Sequence, residues 1–224
     1  MKFSSLLAGA VCLIGFVCVF GGDPTHAIAQ VWRPIVAASA PVDGGESPNK
    51  PDGAATGSDH PMENSQSTVT PAAKPSDVTS IDAIMAAVYD VISGPAGQKR
   101  DWDRMRSLFV PGAHLIAVTK DKDGVFVARM ADVEEYINRA SAYFEKEGFF
   151  EKESARRTET YGQIAQAFST YESRHSASDP TPFERGINSF QLMNDGKRWW
   201  IVNIYWEGAS EAGPIPEKYQ KGKH

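Results

Sequence analysis

The chain has 224 residues, with 23 Lys and Arg against 28 Asp and Glu and a formal net charge of -5 at neutral pH. This mildly acidic balance argues against a surface that binds the phosphate backbone of nucleic acid, so we predict no nucleic-acid partner. Both cysteines, Cys12 and Cys18, lie close to the N-terminus. The rest of the chain therefore has neither disulfides nor thiol chemistry.

Residues 1–29 have the pattern of an export signal. Lys2 precedes an apolar run over residues 6–20, and residues 27–29, Ala-Ile-Ala, match a signal peptidase site. That run is shorter than the roughly 20 apolar residues that a membrane-spanning helix needs. We predict cleavage before Gln30 and export to the periplasm or the exterior, with no membrane contact afterwards. Retention as an uncleaved anchor is the alternative.

Residues 30–77 are predicted to form a disordered linker. Seven of the chain's fourteen prolines lie in this segment, with Trp32 as its one Phe, Trp or Tyr residue. Such a segment buries too little apolar surface to offset the entropy lost on ordering. Residues 78–208 then have the size of one ordinary domain. Residues 209–224 are predicted to be a flexible tail.

Three helices are predicted at the start of this domain and after its first hairpin. The first has apolar residues at the 3.6-residue period, with a capping-box start at Thr79 and an end at residues 93–95, Ser-Gly-Pro. The second begins near Asp101. Asp132 caps the third, and Gly148 ends it. The apolar positions of the first helix are Ile81, Ile84, Met85, Val88 and Ile92.

Six strands are predicted from β-branched and aromatic runs and from turn residues. Their ranges are 114–119, 125–129, 149–160, 163–174, 187–193 and 198–206. The last two flank Asn194-Asp195-Gly196, a turn whose Gly accepts a positive φ. This order predicts an α+β fold, with helices on one face of a strongly curved, mostly antiparallel sheet. Such a sheet forms a cone whose open end is suited to a small molecule.

The final hairpin carries a family resemblance. Residues 185–207 read RGINSFQLMNDGKRWWIVNIYWE, and with them residues 80–207 resemble the nuclear transport factor 2-like (NTF2-like, cystatin-like) superfamily, in particular its SnoaL-like bacterial members. The resemblance implies a cone with three N-terminal helices and a homodimer through the outer sheet face. The superfamily includes ketosteroid isomerase, scytalone dehydratase and polyketide cyclases, besides binding modules without activity.

Carrying the isomerase's residues over to this chain gives a negative result. Its base position falls on Ala117, and its oxyanion-hole aspartate falls on Ser189, while its helix-borne tyrosine falls near Tyr89. A methyl group cannot accept a proton, and a serine is no protonated carboxyl. The resemblance therefore does not imply steroid isomerisation.

The predicted ligand pocket contains Tyr89, Ser189, Gln191, Ile204 and Trp206. Strand alternation sends Ser189 and Gln191 to one face, and the resemblance places Ile204 and Trp206 inward. A pocket of this composition suits a largely apolar molecule with one or two polar groups. The alternative is that Ser189 and Gln191 hydrogen-bond each other inside a filled core.

Two further residues are catalytic candidates. Tyr171 shares a strand face with small residues and can lie at the pocket mouth, or can stack on another aromatic residue across the sheet. His114 opens the first strand after a Pro-Gly turn, or is a surface group. Histidines are isolated from other ligand types along the chain, so we predict no metal, and no cofactor motif is present.

Charged clusters on the third strand are interpreted as solvent-facing. Glu151 and Glu153 flank Lys152 in one such cluster. Of the adjacent Arg156 and Arg157, one must face inward, where it pairs with Glu153 or Glu159 or binds a ligand carboxylate.

Three functional hypotheses follow. The first is a binding module that holds a small, largely apolar molecule. The second is a cyclase, dehydratase or isomerase type of enzyme that uses His114 or Tyr171 as acid or base. The third is a structural homodimer. Its partner surface consists of Trp199, Ile201, Asn203 and Tyr205.

Overall fold

The computed structural model describes residues 70–222. The predicted export signal and most of the predicted linker lie outside the described residues. Within residues 70–222, no helix is long and apolar enough to cross a membrane.

Short polar caps define where the helices begin. The helices are α1 (Pro75–Val78), α2 (Ile81–Ile92), α3 (Trp102–Leu108), α4 (Val133–Glu147) and α5 (Ala209–Ala212), followed by a 3-10 turn at Glu217–Tyr219. Ser80, rather than the expected Thr79, caps α2 by accepting the Ala83 N–H. Asp101 and Asp132 cap α3 and α4 as predicted, and Asp132 forms a capping box with Glu135.

Six strands form one mixed sheet. They are β1 (Phe109–Lys120), β2 (Phe126–Asp132), β3 (Phe150–Tyr161), β4 (Ile164–Arg174), β5 (Glu184–Asn194) and β6 (Trp199–Gly208). Their order across the sheet is β2-β1-β6-β5-β4-β3. The β1–β6 pair is parallel, and every other pair is antiparallel. The predicted α+β fold class is confirmed.

The core lies between the helices and the inner sheet face. From the helices, buried side chains include Ile84, Met85, Val88, Leu108, Ile137 and Phe144. From the sheet they include Leu115, Ala167, Tyr171, Phe190, Leu192 and Ile201. Small residues on β4, among them Ala165 and Ala167, limit how far the sheet fills the space under the helices. The remaining space lies toward one end of the cone.

The outer sheet face is partly covered by residues 209–222. The Tyr219 ring lies 5.5 Å from the Phe168 ring, and Thr170 Oγ1 donates a hydrogen bond to the Tyr219 carbonyl. Arg157 Nε donates to the Lys218 carbonyl at 3.0 Å. The segment that we expected to be a flexible tail thus packs on β3 and β4, because it supplies an aromatic ring and free backbone carbonyls to that face.

Candidate ligand cavity in the cone

A cavity opens between α2, α4 and the inner sheet face. Its volume is about 70 Å³. Its rings come from Tyr89, Tyr136, Tyr143, Phe144, Phe149, Tyr171, Phe190 and Trp206, and its aliphatic groups from Val88, Ile92, Leu115, Ala140 and Ile204. The two other lining residues are Glu151 and Asn188. The cavity is thus an aromatic enclosure with one carboxyl group.

Glu151 is the ionisable centre of this cavity. Burial raises the pKa of its carboxyl to about 7, and hydrogen bonds from Ser173 and Asn188 oppose part of that rise. Ser173 Oγ donates to Oε2 at 2.8 Å, and Asn188 Nδ2 donates to Oε1 at 3.2 Å. These partners are neutral, so the carboxyl has hydrogen bonds but no countercharge among them. Both its protonated and its ionised forms are accordingly populated near neutral pH.

Asn188 links Glu151 to a chain of hydroxyl groups. Its amide also donates to Tyr89 Oη at 3.1 Å, and Tyr89 Oη lies 2.8 Å from Ser169 Oγ. Ser169 Oγ in turn donates to Glu153 Oε2 at 2.6 Å. Because the serine proton is used there, the Tyr89 hydroxyl must donate to Ser169. Burial raises the pKa of Tyr89 above its ordinary range, which keeps that donor protonated.

Two tyrosine hydroxyls at the cavity have no hydrogen-bond partner within the described residues: Tyr143 Oη and Tyr171 Oη. Tyr171 is 1% exposed. Its ring covers Gly186, where an added Cβ would lie 2.5 Å from Tyr171 Oη. Burial raises the pKa of Tyr171 well above its ordinary range, and that of Tyr143 to about 12. Both are therefore neutral hydroxyls whose hydrogen-bonding capacity is unused.

Four of the predicted residues line the cavity: Tyr89, Tyr171, Ile204 and Trp206. They come from α2, β4 and β6. The Trp206 ring meets the Tyr136 ring edge to face at 6.5 Å.

The expected inward orientation of Ser189 and Gln191 is wrong. Along β5 the buried positions are Asn188, Phe190 and Leu192, and Phe190 pairs with Ile204 on the inner face. Ser189 instead pairs with Tyr205 on the outer face. The apolar character of Phe190 and Leu192 was the sequence signal that favoured the correct face.

The prediction of His114 as a catalytic residue of the cavity is also wrong. It is exposed on β1, because its neighbours Ala113 and Leu115 take the inward positions. Ala117 is buried and pairs with Trp206, so a methyl group occupies this part of the inner face.

Glu151 is the candidate site residue that sequence reasoning missed. The interpretation of residues 151–153 as a solvent-facing cluster is wrong for both glutamates, since both carboxyls accept inward hydrogen bonds. The prediction for the arginines is confirmed. Arg156 is buried and its Nε lies 3.8 Å from Glu153 Oε2, while its Nη2 donates a hydrogen bond to Asp82 Oδ1 of α2. Arg157 is exposed.

Besides a depression of about 300 Å³ beside Tyr161 and Gln191, two larger depressions lie on the surface of the described domain. One, of about 590 Å³, lies beside α3 and α4, where Arg106 already pairs with Glu134 and Asp103. The other, of about 320 Å³, lies between the outer sheet face and residues 209–216. Neither contains a buried polar group without a partner. Within residues 70–222, no three His, Cys, Asp or Glu side chains are placed to hold a metal ion.

The predicted partner surface needs two corrections. Trp199 packs against the hydrophobic core. Ile201 is fully buried, because a β-bulge shifts the register of β6 against β5 between Gln191 and Leu192. Tyr205 is exposed on the outer face as expected, in the same cross-strand row as Phe168 of β4 and Met130 of β2. The homodimer stays a prediction.

No family model matches the sequence, and no curated protein matches it. Solved structures do. A Nostoc punctiforme protein with a cystatin-like fold is 14% identical over 59% of this chain and 94% of its own, with a TM-score of 0.43. An NTF2-like protein from Silicibacter pomeroyi is 14% identical over 57% of this chain and 91% of its own, with a TM-score of 0.38. An NTF2-like protein from Pseudomonas putida is 12% identical over 61% and 83%, with a TM-score of 0.40.

This chain is similar in fold to NTF2-like proteins. None of the three is described as SnoaL-like. The similarity concerns the fold alone and says nothing of a ligand or a reaction.

Proposed function

We propose that the chain is a binding module that holds a small, largely apolar molecule in the cone cavity. The observation that supports this is the composition of the cavity wall, in which one carboxyl, that of Glu151, and one amide, that of Asn188, lie among aromatic and aliphatic side chains. Apolar walls supply most of the affinity for such a molecule, and the polar groups fix its orientation.

The test is native mass spectrometry on the protein purified from its own host, followed by identification of any retained molecule. We expect one defined ligand in the wild type. Glu151→Leu, which removes the carboxyl at the cavity, should abolish retention. Gln191→Leu, on the outer face, is the matched control and should retain the ligand. An empty wild-type protein, or equal loss from both variants, would contradict the proposal.

A proton-transfer enzyme of the cyclase, dehydratase or isomerase type is the second candidate. It is favoured by the position of Glu151 in the cavity wall, where burial raises the pKa of its carboxyl to about 7, because a group with such a pKa exchanges protons readily at neutral pH. The catalytic role considered for His114 passes to Glu151 in this hypothesis.

Deuterium exchange separates the two candidates. Incubated with cyclopentanone in deuterated buffer, an enzyme with a cavity base should speed exchange of the protons beside the carbonyl, and Glu151→Gln should slow it by about 100-fold or more. Exchange at the rate of buffer alone would count against catalysis of this type and leave the binding role.

A further inference from the structure

The charge of the cavity wall is one-sided. Of the fifteen lining residues, Glu151 carries a carboxyl, and none is Lys, Arg or His. Arg100 lies 6.0 Å from the centre of the Phe144 ring, but its guanidinium donates to the carbonyls of Ile92, Gly94 and Gln98 and does not line the cavity. When Glu151 is ionised, its negative charge is therefore not neutralised by a cationic side chain of the cavity wall.

The rings around Glu151 reinforce this sign. Eight of the fifteen lining residues are aromatic, and an aromatic ring presents a negative face to its surroundings. Burial raises the pKa values of Tyr89, Tyr136 and Tyr171, and the charge of Glu151 raises them further. These residues belong to α2, α4 and β4, so the carboxyl is central to the enclosure. Aromatic faces and a carboxylate both attract an organic cation.

The size of the cavity limits the ligand. One water needs about 10–15 Å³ of such space, so about 70 Å³ accommodates roughly five to seven non-hydrogen atoms.

We propose that the cavity binds a small alkylammonium compound, with its positive centre against Glu151 and the surrounding rings. This names the ligand class of the binding module and rests on that proposed function. An alkylammonium group has apolar methyl or methylene surface, which suits the aliphatic walls, and a diffuse charge that loses little hydration on entry.

Ligand binding should depend on pH in one direction. A cation binds the ionised form of Glu151, and the pKa of that group is about 7 in the empty protein. The ionised fraction falls about tenfold between pH 8 and pH 6, so the apparent affinity should fall by about the same factor. The tyrosines that face the carboxyl remain neutral over this range, since burial raises their pKa values.

The experiment is calorimetric titration of the full chain with choline and with 3,3-dimethylbutan-1-ol, its uncharged isostere. At pH 8 we expect choline to bind at least tenfold more tightly than the isostere. At pH 6 we expect choline to bind about tenfold more weakly than it does at pH 8. Glu151→Gln should remove this preference while the weak binding of the isostere persists. Glu159→Gln takes the same charge from an exposed position on β3 and should leave choline binding unchanged.

The two proposals fail in different ways. If the isostere binds as tightly as choline, or if Glu151→Gln leaves the preference intact, the cation is overturned while a small-molecule site stands. If neither probe binds, the cation is overturned, and the ligand retained from the host decides the binding role. Thermal unfolding of Glu151→Gln, with a cooperative transition at or above the wild-type temperature, verifies that a lost preference is not a folding defect.

Discussion

Glu151 and Glu153 lie two residues apart on β3 and face the same side of the sheet, yet they have different neighbours. Glu153 accepts a hydrogen bond from Ser169 and lies 3.8 Å from the guanidinium Nε of Arg156. Glu151 accepts hydrogen bonds from the neutral groups of Ser173 and Asn188. On one strand, Glu153 therefore takes part in an ion pair, while Glu151 has no cationic partner and can exchange protons near neutral pH.

A backbone irregularity produces this difference. The register of β3 against β4 shifts between Glu153 and Ala155, and beyond this bulge Arg156 pairs with Ser169 on the inner face. Regular alternation would have sent Arg156 to the outer face instead. The bulge therefore supplies Glu153 with a cation and supplies none to Glu151.

The largest expected effect is on the structural half of this comparison. Arg156→Ala should lower the free energy of unfolding by about 3–5 kcal/mol, because it removes a buried cation that lies 3.8 Å from Glu153 and hydrogen-bonds Asp82. Lys99, a cation exposed in the loop before α3, is the control, and Lys99→Ala should change stability by about 0.5 kcal/mol or less. Urea denaturation at neutral pH measures both. Equal, small losses would mean that the two glutamates do not differ in this way.

The next effect concerns Glu151 and pH. Its ordinary pKa is 4.5, and its pKa in the folded protein is about 7. Between these values the unfolded chain has released a proton that the folded chain still holds, so this group's contribution to stability falls as pH rises from about 4.5 to 7. The loss is then constant above that range, at about 3 kcal/mol or less.

Glu151→Gln should abolish this fall. Subtracting the variant's free energy of unfolding from the wild-type value isolates the contribution of Glu151, and the difference should decline through the stated range. At pH 8 the variant should be the more stable protein. Glu159→Gln should reproduce the wild-type curve. A flat difference curve would show that the Glu151 carboxyl is well solvated, and the contrast with Glu153 would disappear.

The smallest effect tests the neutral partners of Glu151. Ser173→Ala removes a hydrogen bond that lowers the pKa of Glu151, so the titration midpoint should rise, by an amount worth about 1 kcal/mol. Ser189→Ala, on the outer face, should leave the midpoint unchanged. Carbon-detected nuclear magnetic resonance of the glutamate carboxyls follows the titration directly. An unchanged midpoint in Ser173→Ala would remove this serine from the account.

Local signals predicted much of the fold. Asp101 and Asp132 have short side chains that cap a following helix, and Gly148 ends α4 at a φ of 71°. Gly196 likewise adopts a φ of 89° at the predicted turn of the last hairpin. Each of these features depends on a few consecutive residues, so the chain alone indicates it. The predicted fold class followed from their order.

The candidate site was less predictable, because tertiary pairing decides which residues face inward. Alternation relates Ser189 to Gln191, but it does not say whether they or Asn188 and Phe190 lie inside. Glu151 resembles any solvated glutamate until its neighbours are known. The sequence also could not indicate that the Tyr171 hydroxyl lacks a hydrogen-bond partner, because this depends on the side chains that all the surrounding elements place next to it.

Because β1 pairs with β6, an early strand of the sheet depends on the strand that is synthesised last. The strands from β3 to β6 pair in sequence order, and β1 pairs early with β2, but the inner edge of β1 finds its partner only in the last strand. Contacts between residues so distant along the chain form slowly. Until β6 emerges, β1 is an open edge that can pair with other chains. Closure of the sheet, and with it the cavity, is thus one of the last steps in folding.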